Sequence, residues 1–200
     1  MPQFSLTEFV DIVSKSGTPK ATKIRQIKHR PEYSPATDFY RLIREGLIEA
    51  HQLGQGLNSV DRVLTGLTDL KKKTAYPPII NGYKKWLGRK STSWFEPPNE
   101  AYTKGNVTIL INPELGLEVN GKPHLIKLYF KREPLAKNKV DIITHLMAIT
   151  ALEHCLYPHT TMSVLDVRRS KLFSPTVPIA GLTDILNAEL AYIASLWPRI

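Results

Sequence analysis

The chain has 200 residues, 42% apolar and 22% charged, with 27 Lys and Arg against 18 Asp and Glu, a formal charge of +9. That apolar share fills a native-sized core and excludes a disordered tail. The lone Cys155 excludes a disulfide scaffold, and no apolar run reaches the roughly 20 residues that cross a bilayer. Met1 to Val10 lacks the order of a secretory signal, so the expected setting is cytoplasmic, with no membrane partner.

In chain order, Leu6, Phe9, Val10 and Val13 fall at helical spacing, and Gly17-Thr18-Pro19 stops that helix. Residues 18–34 are polar and basic and read as a loop or arm. Ser34-Pro35-Ala36-Thr37 opens a helix with Phe39, Leu42, Ile43, Leu47 and Ala50 on one face, ended by Gly54. A further helix runs from about Ser59 to Lys72, burying Val60, Val63, Leu64, Leu67 and Leu70. Tyr76-Pro77-Pro78 is expected to break it, leaving a short helix from Ile79 to Leu87 closed by Gly88.

At Ser91 the apolar period changes from 3.6 to 2. Ser93 to Thr103 is a strand candidate weakened by Pro97-Pro98. Val107 to Val119 reads as one strand, with Val107, Ile109, Ile111, Leu115, Leu117 and Val119 on one face. Asn120-Gly121 then signals a tight hairpin, and Leu125 to Lys131 is the return strand. Val140 to Leu156 is a helix apolar on more than one stripe, as suits a helix laid across a sheet and covered again. Thr161 to Val167 is a strand that Leu172-Phe173 can pair with, and Ala180 to Trp197 is a last helix. The predicted fold is α+β: a small mixed sheet with a central β-hairpin flanked by helices. Residues 1–90 form an N-terminal helical region with a basic arm, packed on an α/β core of residues 91–200.

The positive charge is clustered. Six basic residues and no acid lie between Lys15 and Arg30, seven and no acid between Lys71 and Lys90, and six against Glu133 alone between Lys122 and Lys139. One-signed clusters raise the local potential and favour a polyanion such as DNA or RNA. The candidate phosphate contacts are Lys20, Lys23, Arg25, Lys28 and Arg30 on the arm, then Lys84, Lys85, Arg89 and Lys90, and the pair Arg168-Arg169. The plain alternative is a solvated basic surface.

A two-residue Asn120-Gly121 turn pairs residues whose numbers sum to 241. Asn112, Glu114, Glu118, Lys127, Tyr129 and Lys131 then share one face of the ribbon, with Pro113 able to bulge the register. The alternative for the same residues is a solvent-facing ribbon in which Glu114 and Lys127 form an ordinary cross-strand pair contributing ~0.2–1 kcal/mol. Pro113-Glu114 on one strand, Tyr129-Phe130-Lys131 on the next, and the helix that follows resemble the restriction-endonuclease-like superfamily with its PD-(D/E)XK signature. The resemblance spans roughly Ile79 to Leu172. It implies metal-assisted phosphodiester hydrolysis, with carboxylates holding Mg2+ or Mn2+ and a lysine at the attacking water. Glu114 then matches the first acid and metal ligand and Lys131 the lysine, with Lys127 a further candidate catalytic residue on the same face. Tyr129 stands where the second acid belongs, and a neutral phenol is a poor ligand for a hard cation. Glu45, Glu49 and Glu96 are the acids considered as replacements. The expectation is a nucleic-acid-binding protein with a degenerate site, the alternatives being an active metal-dependent nuclease or a non-enzymatic assembly module.

Other constellations are weaker. His154, Cys155 and His159 lack ligand spacing, and neither a phosphate loop nor a nucleophile elbow occurs. Leu186, Leu190, Ile193, Leu196 and Trp197 of the last helix are candidates for a homodimer contact.

Overall fold

The computed structural model describes residues 1–31, 38–54 and 57–200. It is a mixed α/β structure with two sheets. The elements are β1 (Gln3–Ser5), α1 (Leu6–Val13), α2 (Gly17–Lys28), α3 (Arg41–Gln52) and a 3-10 helix over Leu57–Leu64. They continue with α4 (Leu70–Leu87), β2 (Thr92–Phe95), β3 (Glu100–Lys104), β4 (Val107–Ile111), β5 (Leu115–Val119) and β6 (Lys122–Tyr129). Then come α5 (Lys137–Ala151), β7 (Thr161–Asp166), β8 (Lys171–Phe173) and α6 (Leu182–Leu196). No helix among the described residues is long and apolar enough to cross a membrane.

The larger sheet has the order β2-β5-β6-β7-β8. Its centre is the predicted hairpin. Asn120 and Gly121 both take positive φ, the primed turn that such a ribbon needs. Val119 faces Lys122, Glu118 faces Pro123 and Leu115 faces Ile126, the expected register. Strands β6 and β7 run parallel and are joined across α5. The smaller sheet, β1-β4-β3, pairs β1 with β4 in parallel.

Each face of the larger sheet carries its own core, as expected where strands are covered on both sides. One face buries Leu115, Leu117, Ile126, Leu128 and Leu165 against Ile43 and Leu47 of α3 and Tyr76, Ile79 and Tyr83 of α4. The other buries Leu125, Met162 and Val164 against α1, α5, α6 and the smaller sheet. Helix α5 is apolar around most of its circumference, since it contacts β7 as well as α1, β3 and β4.

Several expectations are corrected. Residues 17–28 are not an arm but helix α2, anchored by Ile24 and Ile27 in the core. The helix opening at Ser34 to Thr37 lies outside the described residues; the helix of that region is α3. The proposed helix from Ser59 to Lys72 is a 3-10 helix ending at Leu64, and Leu70 is exposed. Helix α4 passes through Pro77 and Pro78 rather than breaking there. The missing N–H groups and crowding cost stability, but Ala75, Tyr76, Ile79, Ile80 and Tyr83 on either side are held in the core. The stretches read as single strands are divided. Pro97-Pro98 separates β2 from β3, and Asn112-Pro113-Glu114 separates β4 from β5, each pair split between the two sheets. On α6, Leu186, Leu190 and Ile193 lie in the core, with Leu196 and Trp197 packed against it. The residues named for a homodimer contact thus pack within the chain, and the exposed large apolar residues of α6 are Ile185 and Tyr192.

Candidate functional site

The connector between the two sheets builds the centre of the candidate site. After Ile111 the chain leaves the smaller sheet, and Pro113, with no N–H to offer a ladder, sits buried at the crossing. Glu114 then joins the larger sheet, its N–H donating to the Ile126 carbonyl at 3.1 Å. The predicted pairings of Asn112 with Tyr129 and of Leu110 with Lys131 do not form. Leu110 instead pairs with Ala101 and Ser5 in the other sheet.

Glu114 and Lys127 face each other as expected, but the contact is not solvent-facing. Their side chains are 11% and 7% exposed. Lys127 Nζ donates to Glu114 Oε1 at 2.7 Å, to the Asn112 carbonyl at 2.8 Å and to Asn112 Oδ1 at 3.3 Å. Glu114 Oε2 accepts the Leu128 N–H at 2.8 Å. The ammonium has three donors and three acceptors, so this is a closed clasp between the connector and β6.

Lys131 does not join that clasp. It binds Asp11 of α1 at 2.5 Å, and Lys139 reaches the other Asp11 oxygen at 3.4 Å. Burial tends to raise the Asp11 carboxyl, but hydrogen bonds and charge from Lys131 and Lys139 outweigh it, and its pKa lies below the ordinary value. The acid that enters from elsewhere is thus Asp11, which sequence reasoning missed because α1 is over a hundred residues upstream. Glu96 does line the same cleft, whereas Glu45 and Glu49 border a separate depression beside α3.

Tyr129 is 7% exposed, and its hydroxyl is a buried oxygen without a hydrogen-bond partner among the described residues. Burial, followed by the charges of Glu133, Asp11 and Asp166, raises its pKa against a smaller opposing effect of Arg169. It is a neutral phenol.

These residues line a cleft of about 970 Å3. The charges of its described lining residues are balanced. Among the described residues Arg30 pairs with Glu8, Arg44 with Asp38, Lys127 with Glu114, and Lys131 and Lys139 with Asp11, and Glu96 is the remaining described acid of the lining. A divalent cation does not fit this arrangement. Both Glu114 oxygens and both Asp11 oxygens already accept from the protein, and no group of three or more His, Cys, Asp or Glu residues suited to a metal occurs among the described residues.

A second depression, a groove of about 620 Å3, adjoins the cleft, and Tyr40 and Lys131 line both. Lys71 from the first turn of α4, Lys131 and Arg132 beyond β6, and Arg168 beyond β7 converge here, with Glu133 as the single acid among the described lining residues. Arg168 donates to the Phe130 and Ala75 carbonyls at 2.6 and 3.2 Å, which fixes its fork without neutralising it. No carboxylate among the described residues lies at ion-pair distance from Lys71, Arg132 or Arg168.

The other predicted phosphate contacts fare unevenly. Lys20 is paired with Glu189 at 2.7 Å, Lys84 with Asp61, and Arg169 with Asp166 at 3.2 Å. Lys28 donates to the Trp197 and Ile200 carbonyls at 2.7 and 2.5 Å, and Lys90 to the Trp86 carbonyl. Among the described residues Lys23, Arg25, Lys85 and Arg89 have no ion pair. Cys155 is half-buried, its thiol donating to the Ala151 carbonyl at 3.1 Å, and burial raises its pKa. Compared with family models, with curated proteins and with solved structures, the chain matches none.

Proposed function

We propose that this protein binds nucleic acid by its phosphates and does not cleave it. The observation that carries the reading is the basic groove, where Lys71, Lys131, Arg132 and Arg168 come together from three separate parts of the chain. Arginine forks and lysine point charges are the usual phosphate ligands, and a net excess of cations there favours a polyanion. Phe39 and Tyr40 on the same groove supply aromatic surface of the kind that accompanies cations at nucleic-acid sites. With β3 and β4 set aside in the other sheet, the succession α4, β2, β5, β6, α5, β7, with Pro113-Glu114 leading into β5, resembles that of a restriction-endonuclease-like scaffold and supports this reading. In that reading the hairpin acid has become a structural clasp, because Lys127 and the Leu128 N–H occupy its carboxylate.

The test is fluorescence anisotropy with a labelled oligonucleotide over a salt series. Affinity falls as salt rises, and Lys71→Ala with Arg132→Ala weakens binding and reduces the slope of log K against log salt by about 1 per lost contact. Lys104→Ala, at an exposed position of β3, leaves both unchanged. Absence of binding at low salt, or binding indifferent to the double substitution, overturns the reading. Incubation with Mg2+ or Mn2+ leaves DNA and RNA intact. Cleavage that Glu114→Gln abolishes overturns the non-cleaving part.

A further inference from the structure

The groove and the cleft differ in charge but share a wall. The groove is cationic, whereas the cleft beside it pairs nearly every cation with a carboxylate. A phosphate gains from the first and little from the second. A neutral, planar, hydrogen-bonding group is the better occupant of a charge-balanced cleft with Trp94, Tyr129 and Phe130 in its lining.

Two further observations bear on that occupant. Tyr40 lies at the junction, half-buried, with its ring stacked on Phe130 at 5.3 Å and 26°. An aromatic ring held in place by another is a ready stacking platform for a base. Tyr129 brings a hydroxyl that no group among the described residues satisfies. A buried, unpaired hydroxyl destabilises a fold unless something else bonds to it, so it points to a polar partner absent from the chain itself.

We propose that the nucleic acid recognised by this protein carries an unpaired nucleotide, its phosphates lying in the Lys71–Arg132–Arg168 groove and its base passing Tyr40 into the cleft, where Tyr129 hydrogen-bonds it. The proposal rests on the nucleic-acid reading above and narrows it to single strands, gaps or bulges. A fully paired duplex offers phosphates to the groove but keeps its bases stacked, and extruding one costs free energy that an already unpaired base avoids.

The test compares three probes of one sequence at fixed salt: a single strand, a paired duplex, and the duplex with a single-nucleotide bulge carrying 2-aminopurine. Wild-type protein binds the single strand and the bulged duplex about tenfold more tightly than the paired duplex, the scale set by stacking one base on an aromatic side chain. It also changes the 2-aminopurine emission. Tyr129→Phe, which deletes only an unsatisfied hydroxyl, leaves thermal stability equal or higher while weakening the two unpaired probes severalfold. Tyr40→Ala removes most of the difference between probes without altering the salt dependence. Equal affinity for all three probes, or a Tyr129→Phe effect of the same size on each, overturns the inference and leaves backbone binding standing. No binding of any probe overturns both it and the nucleic-acid reading.

Discussion

Glu114 and Lys127 decide between a structural clasp and a vacant catalytic acid, and their energetics separate the two. Glu114→Gln keeps an oxygen for the Leu128 N–H but leaves the Lys127 ammonium, 7% exposed, with only the two Asn112 oxygens. Lys127→Met keeps the volume but strands a carboxylate that is 11% exposed. Breaking a buried pair by removing one partner costs about 3–5 kcal/mol, because the remaining charge stays out of water. Each single variant is therefore expected to lose about 3 kcal/mol or more. The double variant leaves no stranded charge and retains a neutral Gln–Leu128 bond, so it loses no more than either single variant. Urea unfolding followed by far-UV circular dichroism reads all four corners of the cycle at constant m value. Single losses below about 1 kcal/mol that simply add would describe a solvated surface pair. The carboxylate would then be available to a cation, and the clasp reading would be refuted.

Two other predictions test the packing around the site. Burial lowers the His51 imidazole from 6.5 to about 4, in contact with the Tyr83 hydroxyl. As pH falls below 6.5 the unfolded chain takes up this proton first. Stability present above pH 6.5 is therefore lost down to about pH 4, by roughly 3 kcal/mol from this group. NMR titration shows His51 still neutral at pH 5.5, and a midpoint near 6.5 would refute the assignment. Gly82 of α4 lies so close to the turn after β7 that an added Cβ falls 2.1 Å from the Val167 carbonyl oxygen. Gly82→Ala thus loses at least about 2 kcal/mol despite the better helix propensity of alanine, and a raised unfolding midpoint would show that the two backbones are not in contact.

The hairpin was legible because the local chemistry of Asn120-Gly121 sets the register without help from the rest of the molecule. Legibility ended at Pro113, where the decision is which sheet to join. That choice depends on β1, a three-residue strand over a hundred residues upstream whose pairing with β4 has no local signal. The α4 prolines misled for a related reason. Local propensity argues for a break, and tertiary packing of Tyr76 and Ile79 overrides it. Helix α2 was hidden by composition: Ile24 and Ile27 are its only buried residues, so its polar face dominates the sequence pattern.

Charge shows the same limit more sharply at the site itself. Counting by segment puts forward residues 15–30 as an acid-free basic run, yet folding brings Glu189 to Lys20 and Glu8 to Arg30 and seats Lys28 on the carbonyls of Trp197 and Ile200. The acids that quench the run come from both ends of the chain. The groove that keeps its charge draws on residues 71, 132 and 168, far apart in sequence, with Lys131, paired to Asp11, on its wall. Along the sequence a potential is estimated by adding like charges; at a surface it depends on which cations lack a carboxylate within a few ångströms, where Coulomb energies are largest. The partner's footprint therefore follows the unmatched cations that converge in one groove, and the substitutions that weaken binding most are expected at Lys71 and Arg132 rather than at Lys23 or Arg25 of α2, which have no ion pair among the described residues but do not line that groove.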